Sequence, residues 1–513
     1  MLMRIKIKGV EMMKGKYYRL SLIVMLLLTL LIACSSNQEA GISKKDNEGG
    51  DKEQIEIVLN NASRNYPKGM DANNNPYIEY IRDNTDLDIK VTTPSSDGYN
   101  EKLNVMMASG DLPDMIYTTD PSWVVNYVNQ NGLQPLDDAI DKYGEDLKKN
   151  IPEEAWEHVT IAGKIYAIPS VNTYPGTMIM YVRKDWLDTL NLEPPKTLDE
   201  YTEVMRAFKE EDPDGNGKDD TLGLVIAENL ARTEPFFGAF GIQRNQWIER
   251  DGELVYSSIL PETKETLEYL STLYQDGLLD KEFALNKTEN FEEKIASGKA
   301  GLFAATWYDT RGPILTNEQN DPEAEWISLD FPLGPNGESG TDGTAPVRVY
   351  NVVPVTSKQA DSVVKMLNFM IGEGYETLKF GFEDDVYTME DGKMLTDFEK
   401  HNNHLYRLTL AEMIEPDNLD LVKLRLDSLG EEFHLYDNLQ KIKENAIYDE
   451  FLGTPTESMG KFNAKLNKLE AEVFTKIVMG EAPLDKFDQF VDEWKKEGGD
   501  QITKEVNEWY SNK

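Results

Sequence analysis

The chain has 513 residues, a formal net charge of −39, four histidines and one cysteine. So acidic a chain argues against nucleic acid as a partner, because phosphate binding needs a basic surface, and one cysteine excludes a disulfide framework. The length exceeds what one hydrophobic core holds, so at least two lobes are expected.

The first 33 residues read as an address. A basic stretch (Arg4, Lys6, Lys8, Lys14, Lys16, Arg19) precedes an apolar run from Leu20 to Ile32. That run is too short to span a bilayer comfortably, and basic flank plus short apolar core is the secretory signal pattern. Leu31-Ile32-Ala33-Cys34 resembles a bacterial lipobox, in which Cys34 carries a diacylglycerol and a palmitate. Several acyl chains on one residue give stable attachment where one does not. The expectation is a signal peptide over 1–33 and a protein lipid-anchored at Cys34 on the extracellular face of the cell membrane. Met12 and Met13 are alternative starts to Met1. Residues 1–33 carry six Lys/Arg and one Glu, a net of +5, which leaves −44 on the rest. Residues 34–53 are a polar linker without apolar periodicity.

The globular part opens with alternating Ile55, Ile57 and Leu59, a strand signature. Tyr77 to Asn84 reads as a short helix, and Leu87 to Val91 as a strand. Tyr99 to Ser109 is a helix closed by Gly110, and Met115 to Tyr117 a strand. This β-α-β-α-β order predicts a parallel sheet with helices on its faces. Met178 to Val182 opens a second unit. Thr197 and Glu200 form a capping box, followed by Tyr201, Val204, Met205 and Phe208 at helical spacing. Further helices are marked by Leu267, Leu270 and Leu273, by Val363, Leu367 and Met370, and by Phe462, Leu466, Leu469, Val473 and Ile477. Plain core packing is the use assigned to these stripes.

The strongest local chemical motif is Asp212-Pro213-Asp214-Gly215-Asn216-Gly217-Lys218-Asp219-Asp220. Oxygens recur at positions 1, 3, 5 and 9, Lys218 offers its carbonyl at position 7, and Gly217 allows the turn. This is the opening of the calcium loop of an EF-hand, lacking the final Glu because position 12 is Gly223. Asp212, Asp214, Asn216, Lys218 and Asp220 are the expected ligands of a structural Ca²⁺. The alternative is a metal-free Asp/Gly turn.

Several segments together carry a family resemblance: Ser109-Gly110-Asp111-Leu112-Pro113-Asp114, Gly163-Lys164-Ile165-Tyr166-Ala167-Ile168-Pro169, Tyr181 to Leu187, Pro195 to Glu200, and the tail from Phe474 to Trp494. In this order they resemble the extracellular solute-binding proteins of carbohydrate importers, a family that includes maltose-binding and alginate-binding proteins. Any one motif is weak. The resemblance implies a two-lobed α/β periplasmic-binding-protein-like fold (type II), with hinge-connected lobes of discontinuous segments. It implies an N-terminal lobe of 54–173 plus about 354–425 and a C-terminal lobe of about 174–353 plus about 426–513. The chain would cross between lobes near Asn172–Thr177, near Val347–Val353 and around 425. It further implies a protein that captures an oligosaccharide, or another small polar ligand, in the interlobe cleft and delivers it to the permease subunits of an ABC importer; no oligomer signal stands out in the sequence, and a monomer is the default. In the alginate-binding relatives a carboxylate follows the position of Asp220, where this chain has Thr221.

Sugars present C–H faces and a rim of hydroxyls, so aromatic planes beside polar groups on cleft loops are the candidates for ligand binding. These are Asn61 and Tyr66 after the first strand, Trp123 after the third, Tyr174 at the hinge, Trp307, Tyr308 and Arg311 in the second lobe, and Arg348 and Tyr350 at the return hinge. Trp307 stands first, because it follows the buried-strand-like run Gly301 to Ala305. Arg311 and Arg348 suit an acidic sugar, or pair with one of the many carboxylates. No G-x-S-x-G or H-E-x-x-H motif occurs, so no catalytic residue is assigned. An exported polysaccharide-degrading enzyme, and a sensory or peptide-binding lipoprotein of the same fold, are the alternative readings.

Overall fold

The computed structural model describes residues 52–511, and the leader, Cys34 and most of the linker lie outside the described residues. No helix among the described residues is long and apolar enough to cross a membrane.

The first sheet has five strands, in the order Leu87–Thr92, Glu53–Val58, Met115–Thr118, Val347–Val352, Ala167–Val171. The first three are parallel, as their alternation with helices requires. Leu87–Thr92 shows its sequence pattern in its burial, alternate residues facing the core. Asn75 caps the helix Pro76–Thr85 through its side chain, with Pro76 in the first turn. The helix Tyr99–Ser109 ends at Gly110 in the left-handed region. Val347–Val352 runs antiparallel to both of its neighbours, a return strand that the parallel reading did not contain.

The second sheet pairs Met178–Arg183 antiparallel with Leu302–Thr306 on one side and Trp326–Ser328 on the other. Both halves of the Thr197–Glu200 capping box are formed. The helix it starts, Leu198–Glu210, buries Leu198, Tyr201, Val204, Met205 and Phe208 in the second core.

Two apolar cores result. One gathers residues from Ile55 to Val171 with Val347 to Ile414. The other gathers Ile179 to Phe331 with Ile442 to Val506. The expected boundary at about 353 is displaced, because Val347–Val352 pairs with Met115–Thr118 and so belongs to the first sheet. The return crossing therefore precedes Val347. The helix Leu419–Asp427 makes the third passage, its Leu421 and Leu424 packing beside Phe380 and Tyr387, its Leu426 with Leu435 and Leu439.

The first two crossings touch backbone to backbone. Gly176 bridges Gly343, and a Cβ on Gly176 would meet the Asp342 carbonyl oxygen at 2.2 Å and Ile442 Cγ2 at 2.6 Å. Gly176→Ala must force the two segments apart, and it is expected to lower stability by ~1–3 kcal/mol, read as a fall in the denaturant midpoint.

Candidate functional site: the cleft at the crossings

Leu302–Thr306 is buried along its whole length, and the next residue, Trp307, emerges at its tip. Its backbone N–H donates to the Thr177 carbonyl at 3.1 Å, which fixes it against the first crossing. There its ring stacks on Tyr174, centroids 4.8 Å apart and planes 25° apart. Tyr308 meets Trp307 edge-on at 5.1 Å and is 50% exposed. The Asn438 amide donates to the Trp307 carbonyl. The result is an aromatic wall in which Tyr308 is the exposed member.

Charged groups surround that wall. Glu412 accepts from Arg64 at 2.7 Å and pairs with Arg348 at 3.0 Å. Glu415, nearly fully buried, pairs with Lys379 at 2.7 Å, and the Thr173 hydroxyl donates to it at 3.4 Å. Burial pulls the Arg348 guanidinium down, but Glu415 and Glu412 outweigh it, so its pKa stands above the ordinary arginine value. Lys379 is likewise raised, burial opposing and Glu415 prevailing.

Behind these lies His401, whose Nδ1 meets Arg407 at 3.0 Å and Arg425 at 3.1 Å. Burial, then the charges of Arg425, Arg407 and Arg311, push His401 down to about 3, so it is neutral and accepts. Burial also brings Arg407 down to about 10 and Arg425 to about 9. Tyr66 leans on Tyr406 at 5.2 Å, next to Arg407, and burial raises its phenol. Tyr66, Tyr174, Trp307, Tyr308, Arg311 and Arg348 thus join one region.

Three of the expected ligand residues are used otherwise. Trp123 lies in the helix Pro121–Asn129, 4% exposed, its indole N–H donating to Asn104 and its ring against Tyr127. It is core of the first lobe. Asn61 closes its own turn, accepting from the Ser63 N–H and donating to the Arg64 carbonyl. Tyr350 pairs with Thr118 and is buried, whereas Arg348 sits at a register shift in the same strand and reaches the Tyr117 side. Tyr350 instead lines a separate interlobe cavity of about 280 Å³ with Pro121, His158, Trp247 and Asn463.

Sequence reasoning missed Arg64, Lys379, His401, Arg407, Glu412, Glu415 and Arg425 as cleft residues. Arg64 and Glu412 are 348 positions apart, and no local pattern joins them. The one available signal was Arg407 set inside the apolar run Leu405 to Leu410.

In the acidic loop, Asp212 adopts φ 45° and Gly217 φ 77°, the left-handed turns the motif demands. The Asn216 amide nitrogen bridges the Asp214 and Asp220 carboxylates, and the Gly217 N–H donates to Asp212 Oδ2. Asp212 Oδ1 is buried without a hydrogen-bond partner. Burial, with Asp212 and Asp220 alongside, raises Asp214. No group of three or more His, Cys, Asp or Glu side chains among the described residues is gathered closely enough to hold a metal ion as it stands. Thr221 is committed elsewhere, its hydroxyl donating to the Phe208 carbonyl.

Residues 71–377 match the family model of the bacterial extracellular solute-binding protein, more than half of the chain. The chain belongs to that family. Among curated proteins it is similar to lipoprotein LipO of Bacillus subtilis, 27% identical over 510 residues that cover 94% of this chain and 97% of that one. Two solved structures share the solute-binding fold. Substrate-binding protein FusA of Streptococcus pneumoniae in complex with kestose superposes with a TM-score of 0.69 at 20% identity, over 90% of this chain and 99% of that one. Alginate-binding protein AlgQ2 without calcium ion gives 0.70 at 19% identity, over 90% and 98%.

Proposed function

We propose that this solute-binding protein captures an oligosaccharide in the interlobe cleft and hands it to the permease of an ABC importer. The observation that carries the reading is the Tyr174–Trp307–Tyr308 wall, built by the first crossing and the tip of the second lobe's strand and ringed by hydrogen-bond donors. Tyr66, Arg311 and Arg348 complete the ligand set. Sugar rings pack their C–H faces against the aromatic planes of the wall, and closure of the lobes excludes water and signals the loaded state. FusA, named for a fructooligosaccharide ABC transporter, supports the cargo class. LipO, named as a lipoprotein, supports the lipid anchor at Cys34 on the outer face of the membrane. The reading is of binding without turnover, and the pairing of Glu412 and Glu415 with cations supports it, since neither is free for acid–base work. A thermal-shift screen against an oligosaccharide panel tests this, since a ligand at a hundred times its dissociation constant adds about 2.7 kcal/mol. One glycan class raising the midpoint and being recovered uncut is the expected result. No shift across the panel overturns the carbohydrate cargo.

The acidic loop suits a structural Ca²⁺, held by Asp212, Asp214, Asn216, Asp220 and the Lys218 carbonyl, which would neutralise the clustered carboxylates and satisfy the orphaned Asp212 oxygen. Because the pKa of Asp214 is raised in the folded chain, its contribution favours folding at low pH and is lost as pH rises through that raised value. A cation removes this penalty. Calcium is therefore expected to raise the melting midpoint at neutral pH, and Asp220→Asn to shrink that rise. An equal response in both proteins would place the ion elsewhere.

A further inference from the structure

Of Arg64, Arg311, Arg348, Lys379, Arg407 and Arg425, only Arg64, Arg348 and Lys379 form ion pairs among the described residues, with Glu412 and Glu415, in a chain whose net charge is −39. Arg407 is spoken for by three backbone carbonyls and His401. Arg425 reaches Thr396, Ser428 and His401, all neutral. Arg311 differs from both. It is exposed, forms no ion pair among the described residues, and lies over the rings of Phe398 and Phe433 at 5.5 and 5.4 Å. The Thr310 hydroxyl ties its turn to the Phe433 carbonyl at 2.8 Å. Its guanidinium is held in place by aromatic faces, four residues from Trp307, with its hydrogen-bonding fork uncommitted. Glu432 acts on it only at longer range.

A protein with 92 acidic side chains has ample means to neutralise these arginines, and in the cleft it does not. Guanidinium forks match carboxylate and sulfate oxygens in bidentate geometry, and a cleft of one sign focuses its field on a ligand of the other. We propose that the cargo is an anionic oligosaccharide, bound with a carboxylate or sulfate group at Arg311 while a neighbouring ring lies on Trp307. This rests on the oligosaccharide reading above and names its chemical class.

The test is calorimetric titration of the purified protein with four tetrasaccharides: tetragalacturonate, its fully methyl-esterified form, a carrageenan tetrasaccharide sulfate and neutral maltotetraose. Expected is binding of a charged glycan at least about tenfold tighter than of either neutral one, a difference of 1.4 kcal/mol or more. That preference should weaken with added salt, and Arg311→Gln should abolish most of it while Arg311→Lys retains part. The tetragalacturonate and carrageenan arms distinguish a carboxylate cargo from a sulfate one. Neutral glycans binding as tightly as charged ones, with Arg311→Gln without effect, would overturn the anionic class and leave the oligosaccharide reading standing. Binding of none of the four would overturn the anionic class as stated, and the wider glycan panel would then decide the oligosaccharide reading separately.

Discussion

Trp307→Ala lowers glycan affinity by about two orders of magnitude while the protein stays folded. The indole supplies the largest apolar plane of the cleft, and losing a buried aromatic face costs ~3 kcal/mol, close to a hundredfold in affinity. The fold survives because Trp307 is only partly buried and sits at the edge of its core, while Leu302–Thr306 continues to anchor the strand. Tyr174 loses its stacking partner and the turn loosens, so a small drop in melting temperature accompanies the change. Trp307→Phe keeps a plane in place and should recover most of the binding. Titration calorimetry with the best glycan of the panel reads both variants. An unchanged affinity in Trp307→Ala would remove the aromatic wall from the binding site.

Glu415→Gln is expected to destabilise the folded chain by ~3–5 kcal/mol. Glu415 is 2% exposed and sits where the third passage leaves the first lobe. Its backbone carbonyl accepts from the Val171 N–H and its carboxylate holds Lys379. Removing the charge leaves the Lys379 ammonium largely buried without a counter-ion, and Arg348 loses one of the two carboxylates that raise it. The double variant Lys379→Met with Glu415→Leu removes both charges together and should cost much less, because breaking a buried pair is worse than replacing it. Denaturant midpoints measure all three. Equal midpoints for Glu415→Gln and the unaltered protein would show that the pair carries no stability.

What could be read from the sequence was local. The strand run before Trp307, the capping box at Thr197 and the left-handed stop at Gly110 each rest on a few adjacent residues, and each formed as expected. Trp123 went wrong for a local reason too. Asp120-Pro121 is a helix start, the Asp120 side chain accepting from the Trp123 N–H, and the third helical position turned the indole inward. Reading that cap would have placed Trp123 in the core. The position of Val347–Val352 was not legible, because a strand's sheet and direction depend on partners 180 residues away. The cationic side of the cleft was hidden for the same reason: Arg64 comes from the start of the first lobe and joins the segment that carries Arg407 and Arg425 only in the fold.

In the proposed binding mode the ligand sits on the Trp307 side of the crossings and not in the cavity lined by Tyr350 and Asn463. Hydrogen–deuterium exchange of the protein with and without its best glycan tests it most directly. Slowed exchange is expected in four segments drawn from both lobes: 60–66, 172–177, 306–311 and 404–427. Protection confined to 154–158, 245–256 and 448–467, around the other cavity, would contradict it.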